Sequence, residues 1–294
     1  MKKAPIVSIL IPTYNYARYL DEAIQSVLNQ TFTDFELIII DDQSKDNTDE
    51  VVAKYLKDPR IAYYKNPVNL GLVGNFNRSL DYANGQYIKF LLADDKLHPT
   101  LLEKFVAVME SHPSVSLVTS YSRTFGSETE IRELPMKGLQ TGQKVILECL
   151  RNGKGNWIGE PTVVMYRKRD LRIGKFNPEY ICLVDLDMWL RLLVVGDCYI
   201  IPETLAYFRV HDIQASNKSS IRNWFDEYYF FRDVKKKNAY KLDLNELDID
   251  EVIRRKAKKC VKRVSTIIPE FYKKGNFSLI LEGLKIGRTE KVYK

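Results

Sequence analysis

Long apolar runs are missing from this chain of 294 residues. No stretch approaches the roughly 20 residues that carry a helix across a bilayer. The opening Met1-Lys2-Lys3-Ala4-Pro5-Ile6-Val7-Ser8-Ile9-Leu10 starts like an export signal, but Pro12, Thr13, Tyr14 and Asn15 interrupt it and no small-residue cleavage site follows. The expected location is therefore the cytoplasm. Histidine is scarce: His98, His112 and His211 leave little room for a histidine-rich metal site. The four cysteines, Cys149, Cys182, Cys198 and Cys260, are widely spread and form no CxxC. A zinc or disulfide framework is not expected, and buried reduced thiols are. Neither GxxxxGK[ST] nor GxGxxG occurs, which argues against a P-loop NTPase and a dinucleotide dehydrogenase. There is no internal repeat and no low-complexity segment.

What is present is an ordinary apolar content of 45%, enough for one large domain or a domain with an appendage. The net charge of +7 is unevenly spread. Residues 218–294 hold 20 of the 45 basic and 11 of the 38 acidic side chains, so residues 1–217 are close to neutral with 25 and 27. All of the positive excess belongs to the C-terminal quarter.

Periodicity predicts strands at Ile6–Ile11, Phe35–Ile40, Arg60–Lys65, Tyr87–Leu92, Val115–Ser120 and Thr162–Tyr166. Helices are predicted at Tyr19–Gln30, Val51–Leu56, Leu72–Ala83, Thr100–Ser111, Gly142–Leu150, Leu186–Val195, Glu251–Ile268 and Asn276–Ile286. The second of these has the capping-box spacing Asn47-Thr48-Asp49-Glu50. Pro12 is expected to end the first strand, and Gly85 to stop the helix before it. Residues 122–156 read as loops apart from the helix near Gly142. Ile221–Lys237 is rich in aromatics and ends in three lysines. Apolar strands alternating with helices predict an α/β fold with a mostly parallel central sheet covered on both faces.

In such sheets ligands bind beyond the carboxyl ends of the strands. Three predicted strand ends carry polar clusters: Thr13-Tyr14-Asn15, Asp41-Asp42-Gln43-Ser44 and Asp94-Asp95. Adjacent carboxylates in a cleft repel each other unless a cation is present. Mg²⁺ or Mn²⁺ would take one or two of them plus the phosphates of a substrate. A nucleotide sugar suits such an edge. Tyr14 can stack on a base, Asp42 can accept from a base N–H, and Asp41 can brace the loop.

The runs Val7-Ser8-Ile9-Leu10-Ile11-Pro12-Thr13-Tyr14-Asn15, Ser26-Val27-Leu28-Asn29-Gln30-Thr31 and Ile40-Asp41-Asp42-Gln43-Ser44-Lys45-Asp46-Asn47-Thr48 resemble family 2 glycosyltransferases of the GT-A fold. Asn69-Leu70-Gly71, Ala83-Asn84-Gly85-Gln86-Tyr87-Ile88 and Asp94-Asp95 continue the resemblance in order. It covers about residues 5–215. It implies an inverting, metal-dependent transfer from a nucleotide-diphosphate sugar, with UDP as the default nucleotide, in cell-surface polysaccharide or glycoconjugate synthesis. By resemblance Pro12, Thr13, Tyr14, Asp42 and Asp94 bind the donor nucleotide, and Asp95 and His211 hold Mn²⁺ or Mg²⁺. Ala93 stands where the family's DxD motif has its first aspartate. Val184-Asp185 stands where an acidic pair is usual, which leaves Asp185 as the general base. One base suffices, because a metal-neutralised nucleoside diphosphate leaves without an acid, whereas glycosidases need two carboxylates. Asp187 competes for the role or is an exposed first-turn residue. Trp157, in Asn156-Trp157-Ile158-Gly159-Glu160-Pro161-Thr162, either shapes an acceptor pocket or is scaffold.

The expected domains are residues 1–217, a GT-A catalytic domain with a nucleotide-binding half at about 1–98 and an acceptor half at about 99–217, and residues 218–294, a basic and mainly helical extension. The acceptor is a saccharide or a lipid-linked saccharide. The basic helices either pack on the catalytic domain with a solvated face or contact an anionic membrane as a peripheral attachment; no nucleic-acid motif is present. Two rival functions remain: a non-catalytic sugar-nucleotide-binding protein, and a nucleotidyltransferase. The second would carry a Gly-rich basic loop where Pro12-Thr13-Tyr14-Asn15-Tyr16 stands.

Overall fold

The computed structural model describes residues 4–151, 155–180, 182–212, 221–238, 240–242, 247–270 and 276–292. A single mixed sheet organises them. Strands β1 (Val7–Thr13), β2 (Phe35–Asp41), β3 (Ile61–Lys65) and β4 (Tyr87–Phe90) form its parallel half. The other half contains β5 (Lys96–Leu97), β6 (Val115–Gly126), β7 (Ile131–Arg132), β8 (Gly138–Gln140), β9 (Val164–Arg167) and β10 (Asp197–Val210). The main order is β3-β2-β1-β4-β9-β6-β10-β5, with β7 on β6 and β8 on β10. Strand β9 runs antiparallel to both neighbours, so it is a single reversed strand, beyond which β6 and β10 run in the direction of the parallel half. Every residue of β1 is buried, as expected of a strand covered on both faces.

The helices are α1 (Ala17–Leu28), α2 (Thr48–Ala53), α3 (Gly71–Tyr82), α4 (Leu101–Ser111), α5 (Gly142–Arg151), α6 (Val184–Val194), α7 (Ile221–Lys237), α8 (Ile249–Ile267) and α9 (Asn276–Thr289). Helix α1 buries Leu20, Ala23, Ile24 and Val27, the predicted apolar face. Helix α3 packs on β1 and β2, while α4 and α6 pack on β6. All four cysteines are free, and three of them are buried.

Several expectations are corrected. Strand β1 continues through Pro12, which pairs with Ile40. The carbonyl of Thr13 accepts from Asp42 N–H and that of Leu10 from Leu91 N–H, so alternate residues face β2 and β4. Pro12 thus faces the side that β4 has already left, and its missing N–H costs nothing. Helix α2 begins at Thr48, and Asn47 makes no side-chain cap. Asp46 does that work: one oxygen takes Thr48 Oγ1 at 2.6 Å and Thr48 N at 3.3 Å, while the other takes Ala17 N at 3.0 Å. Strand β6 runs six residues past Ser120, to Gly126, and β5, β7, β8 and β10 lie where no strand was expected.

Candidate active site

The loops leaving β1 and β2 are stitched together. Asn15, at φ 57°, donates its N–H to Ser44 Oγ (2.8 Å), and its side chain accepts from Lys45 N–H (2.7 Å). Asp41 is buried and accepts from Ser44 N–H at 3.0 Å, with Lys65 Nζ at 3.3 Å. Asp41 therefore braces the loop, as the sequence suggested. Asp42 is 2% exposed. One carboxylate oxygen accepts from Asn66 Nδ2 and Leu70 N–H, both at 2.8 Å, and the other from Gly71 N–H at 2.9 Å. Three of about four acceptor positions are thus filled by the entrance to α3. Tyr14 stands 45% exposed beside this wall. The buried Thr13 hydroxyl finds no hydrogen-bond partner among the described residues.

The chain after β4 turns through Asp94-Asp95 and returns as β5, which pairs antiparallel with β10. That pairing brings Arg209 against the two aspartates. Arg209 N–H donates to Asp95 Oδ1 (2.9 Å), and its Nε donates to the Asp94 carbonyl (2.8 Å). Its guanidinium pairs with Glu22 and lies 4.7 Å from the Tyr19 ring and 4.3 Å from that of Phe125. Asp95 is 1% exposed, and its second oxygen accepts from Thr162 Oγ1 at 2.5 Å. Burial, then the neighbouring Asp94, push its carboxyl well above the usual range. The side chain that reaches His211 is Asp94's, with Oδ2 and Nε2 3.1 Å apart. The His211 ring also packs near Tyr16 and Tyr19, at 5.8 and 4.8 Å.

Beneath the aspartates lies Lys89, fully buried on β4. Its ammonium donates to the carbonyls of Pro161 (3.3 Å), Thr162 and Val164 (3.2 Å), and burial lowers its pKa. This fixes the short 3₁₀ turn Pro161–Val163 that offers Thr162 to Asp95. Glu160 enters the same turn, pairs with Arg132 at 2.9 Å, and is close enough to raise the pKa of both Asp95 and Asp185.

Asp185 sits in the first turn of α6. Asn156 Nδ2 donates to its Oδ2 at 2.9 Å, and Leu186 N–H donates to its Oδ1 at 2.7 Å. Burial nevertheless outweighs these bonds, and its pKa is pushed up to about 6. Asp187 is not an exposed first-turn residue: it is 4% exposed and is held by Arg191 Nε at 2.8 Å and by the Tyr240 hydroxyl at 2.9 Å. Trp157 is half-buried, with its Nε1 lacking a partner among the described residues.

The donors that converge fit a hard cation bound partly by substrate. Among the described residues no group of three or more His, Cys, Asp or Glu could cage a metal ion. Asp94 and His211 offer one carboxylate and one imidazole, which leaves the other positions to phosphate and water.

Asn156, Glu160 and Thr162 stand in the run around Trp157, but their spacing does not announce these contacts. The role of Lys89 carries a signal in the sequence that was not read, a lysine inside the otherwise apolar strand Ile88-Lys89-Phe90-Leu91. A cavity of about 970 Å³ lined by Ala4, Pro5, Gly85, Tyr87, Arg167 and Lys168 is at the opposite sheet edge and contains none of these site residues.

An α/β protein with one ligand-binding edge beyond its carboxylate-bearing strand ends is what this sheet defines. The model of Glycosyl transferase family 2 matches residues 8–172, more than half of the chain, and the protein belongs to that family and is a glycosyltransferase. A Bacillus subtilis protein named for teichuronic acid biosynthesis, TuaG, is 32% identical over 227 residues, covering 75% of this chain and 86% of its own. An uncharacterized Mycobacterium tuberculosis protein is 32% identical over 218 residues, 70% of this chain and 67% of its own. Staphylococcus aureus TarS 1–349, solved with UDP-GlcNAc, superposes with a TM-score of 0.70 at 17% identity, over 95% of this chain and 79% of its own. The Pyrobaculum calidifontis mannosyltransferase PcManGT, solved with GDP-Man and Mn²⁺, gives 0.60 at 15%, over 97% and 86%. These neighbours share the GT-A fold.

Proposed function

We propose that the protein transfers a sugar, with inversion, from a nucleotide-diphosphate donor to a hydroxyl of a saccharide or lipid-linked acceptor. UDP is the default nucleotide. Cell-surface polysaccharide or glycoconjugate synthesis is the setting, supported by the name of the B. subtilis relative. Residues 1–217 form the catalytic domain, with donor binding in about 1–98 and acceptor binding in about 99–217, and 218–294 form the helical extension. The work takes place in the cytoplasm, with peripheral contact at the inner face of the membrane.

Tyr14 stacks on the base, with Pro12, Thr13 and Asp42 as the pocket wall. The contacts of Asp42 support a role in holding that wall through the entrance to α3, and the Thr13 hydroxyl, without a partner among the described residues, supports a contact with the nucleotide. Asp94 and His211 hold Mn²⁺ or Mg²⁺. The occupied oxygens of Asp95 support an organising rather than a ligating role, fixing Arg209 and Thr162 around Asp94. When bound, the ion neutralises the diphosphate as it leaves. Asp185 takes the proton from the acceptor hydroxyl as that oxygen attacks the anomeric carbon.

The observation that carries this reading is Asp185, held by Asn156 at a helix start with a pKa near 6. A base so placed is ionised at neutral pH yet basic enough to accept a proton. Asp185→Asn can still accept from Asn156 through its single oxygen, gives up the bond from Leu186 N–H, and removes the base. Transfer is expected to fall about 10²–10⁴-fold, while UDP with Mn²⁺ still raises the melting temperature as in wild type. Unchanged turnover overturns the assignment.

A further inference from the structure

Helix α9 turns one face inward. Gly283 and Ile286 are buried there, with Gly283 against Val264 and Phe225. The opposite face is apolar too. Phe277, Leu281 and Leu284 are 61%, 52% and 39% exposed, and their spacing of four and three residues puts them in one stripe. Lys285 and Arg288 are exposed next to it, each four residues beyond a leucine of the stripe. Single exposed apolar side chains are common, but an aligned row bordered by cations marks a contact surface. The neighbouring helix α8 exposes Arg254, Arg255, Lys258, Lys259, Lys262 and Arg263.

We propose that α9 lies on an anionic lipid surface, with Phe277, Leu281 and Leu284 in the headgroup–acyl boundary and Lys285 and Arg288 at the lipid phosphates. Charge decides between occupants. A second copy would bring two strongly basic faces together, where like charges repel. A nucleic acid would meet the cations but give the apolar stripe nothing to bury against. An acidic bilayer satisfies both features at once, and among the described residues no helix is long and apolar enough to cross it. This deepens the reading of a lipid-linked acceptor by naming the surface that meets the lipid.

The test is flotation of the full chain with vesicles of phosphatidylcholine alone or with about one quarter phosphatidylglycerol. No donor or metal is added, so the outcome is independent of the role of Asp185. Binding is expected to be at least about tenfold tighter to the anionic vesicles and weakened by salt. The double variant Phe277→Ser/Leu281→Ser, and separately Lys285→Glu/Arg288→Glu, should lose at least about tenfold with an unchanged melting temperature. Equal binding to both vesicles, no binding, or full binding by both variants overturns the proposal. So does self-association in sedimentation velocity that the serine variant abolishes without any vesicle binding, which would make a second copy the occupant.

Discussion

A carboxylate that must accept a proton is easier to build where it is uncomfortable, and Asp185, the proposed base, shows the trade. Its pKa of about 6 lies above the ordinary 3.8 because burial disfavours the ionised form. The folded state thus binds the proton more tightly than the unfolded chain does. The stabilisation from that proton is complete below about pH 4 and is lost as pH rises through 6. At pH 7 the Asp185→Asn variant is therefore expected to be more stable than wild type by about 2 kcal/mol. The difference should disappear by about pH 4, and urea midpoints at the two pH values measure it. As the proposed base, the same group is expected to set the acid limb of catalysis: kcat/KM should fall tenfold per pH unit below about pH 6. Asp94 and His211 give a separate forecast at this scale. His211→Ala should raise the Mn²⁺ concentration needed for half of the UDP-dependent thermal shift by at least about tenfold. Asp95→Ala should instead lower stability, since it leaves Arg209 N–H and the Thr162 hydroxyl without their acceptor within the fold. A Mn²⁺ requirement unchanged in His211→Ala would remove the histidine from the metal site.

Elements place these residues through contacts that are partly hidden from the sequence. Gly85 was expected to stop a helix, but α3 ends earlier, at Tyr82. A Cβ on Gly85 would sit 2.5 Å from Ser8 N and 2.7 Å from Val7 C, inside the backbone of β1. Gly85 N–H donates to Ser8 Oγ at 2.7 Å, and Glu36 ties Ser8 to Asn84. This close approach sets β4 beside β1 and so aims the following aspartates at the sheet edge. Gly85→Ala is expected to cost about 2 kcal/mol through forced strand displacement, read from a lowered urea midpoint with an unchanged slope. The parallel half of the sheet was legible because buried strands write themselves as apolar runs, such as Leu37-Ile38-Ile39-Ile40. Strand β10 was not, since Pro202, Glu203 and Thr204 break its pattern where the pairing with β6 shifts register. Strand β5 has two residues and exists only because β10 is beside it. For the same reason His211 could be matched to the family but not to its partner: the contact with Asp94 spans 117 positions.

At the scale of the whole molecule, the basic C-terminal quarter is joined to the catalytic part by core packing as well as by charge. Phe225, Tyr228, Phe230, Phe231 and Val234 of α7 are buried, and the Phe230 ring lies 5.3 Å from that of Tyr180. The Tyr240 hydroxyl donates to Asp187 on α6, the helix that carries Asp185, and Tyr180 donates to Asp233 at 3.3 Å. Helix α5 packs against α8. Cutting the chain after residue 217 would strip this cover from α6 and leave Asp187 with Arg191 alone. Five large aromatic or aliphatic side chains buried at about 1.5–3 kcal/mol each match the whole net stability of an ordinary domain. The truncated protein is therefore expected to be insoluble or molten, even though every proposed site residue is retained. Tyr240→Phe separates packing from the polar link. It keeps the ring and removes one bond to a buried carboxylate, so a loss of about 1–3 kcal/mol is expected, with donor binding intact. A truncated chain that melts cooperatively at the wild-type temperature would mean that the two parts fold independently, and that the helices contribute contact with partners rather than the framework of the base.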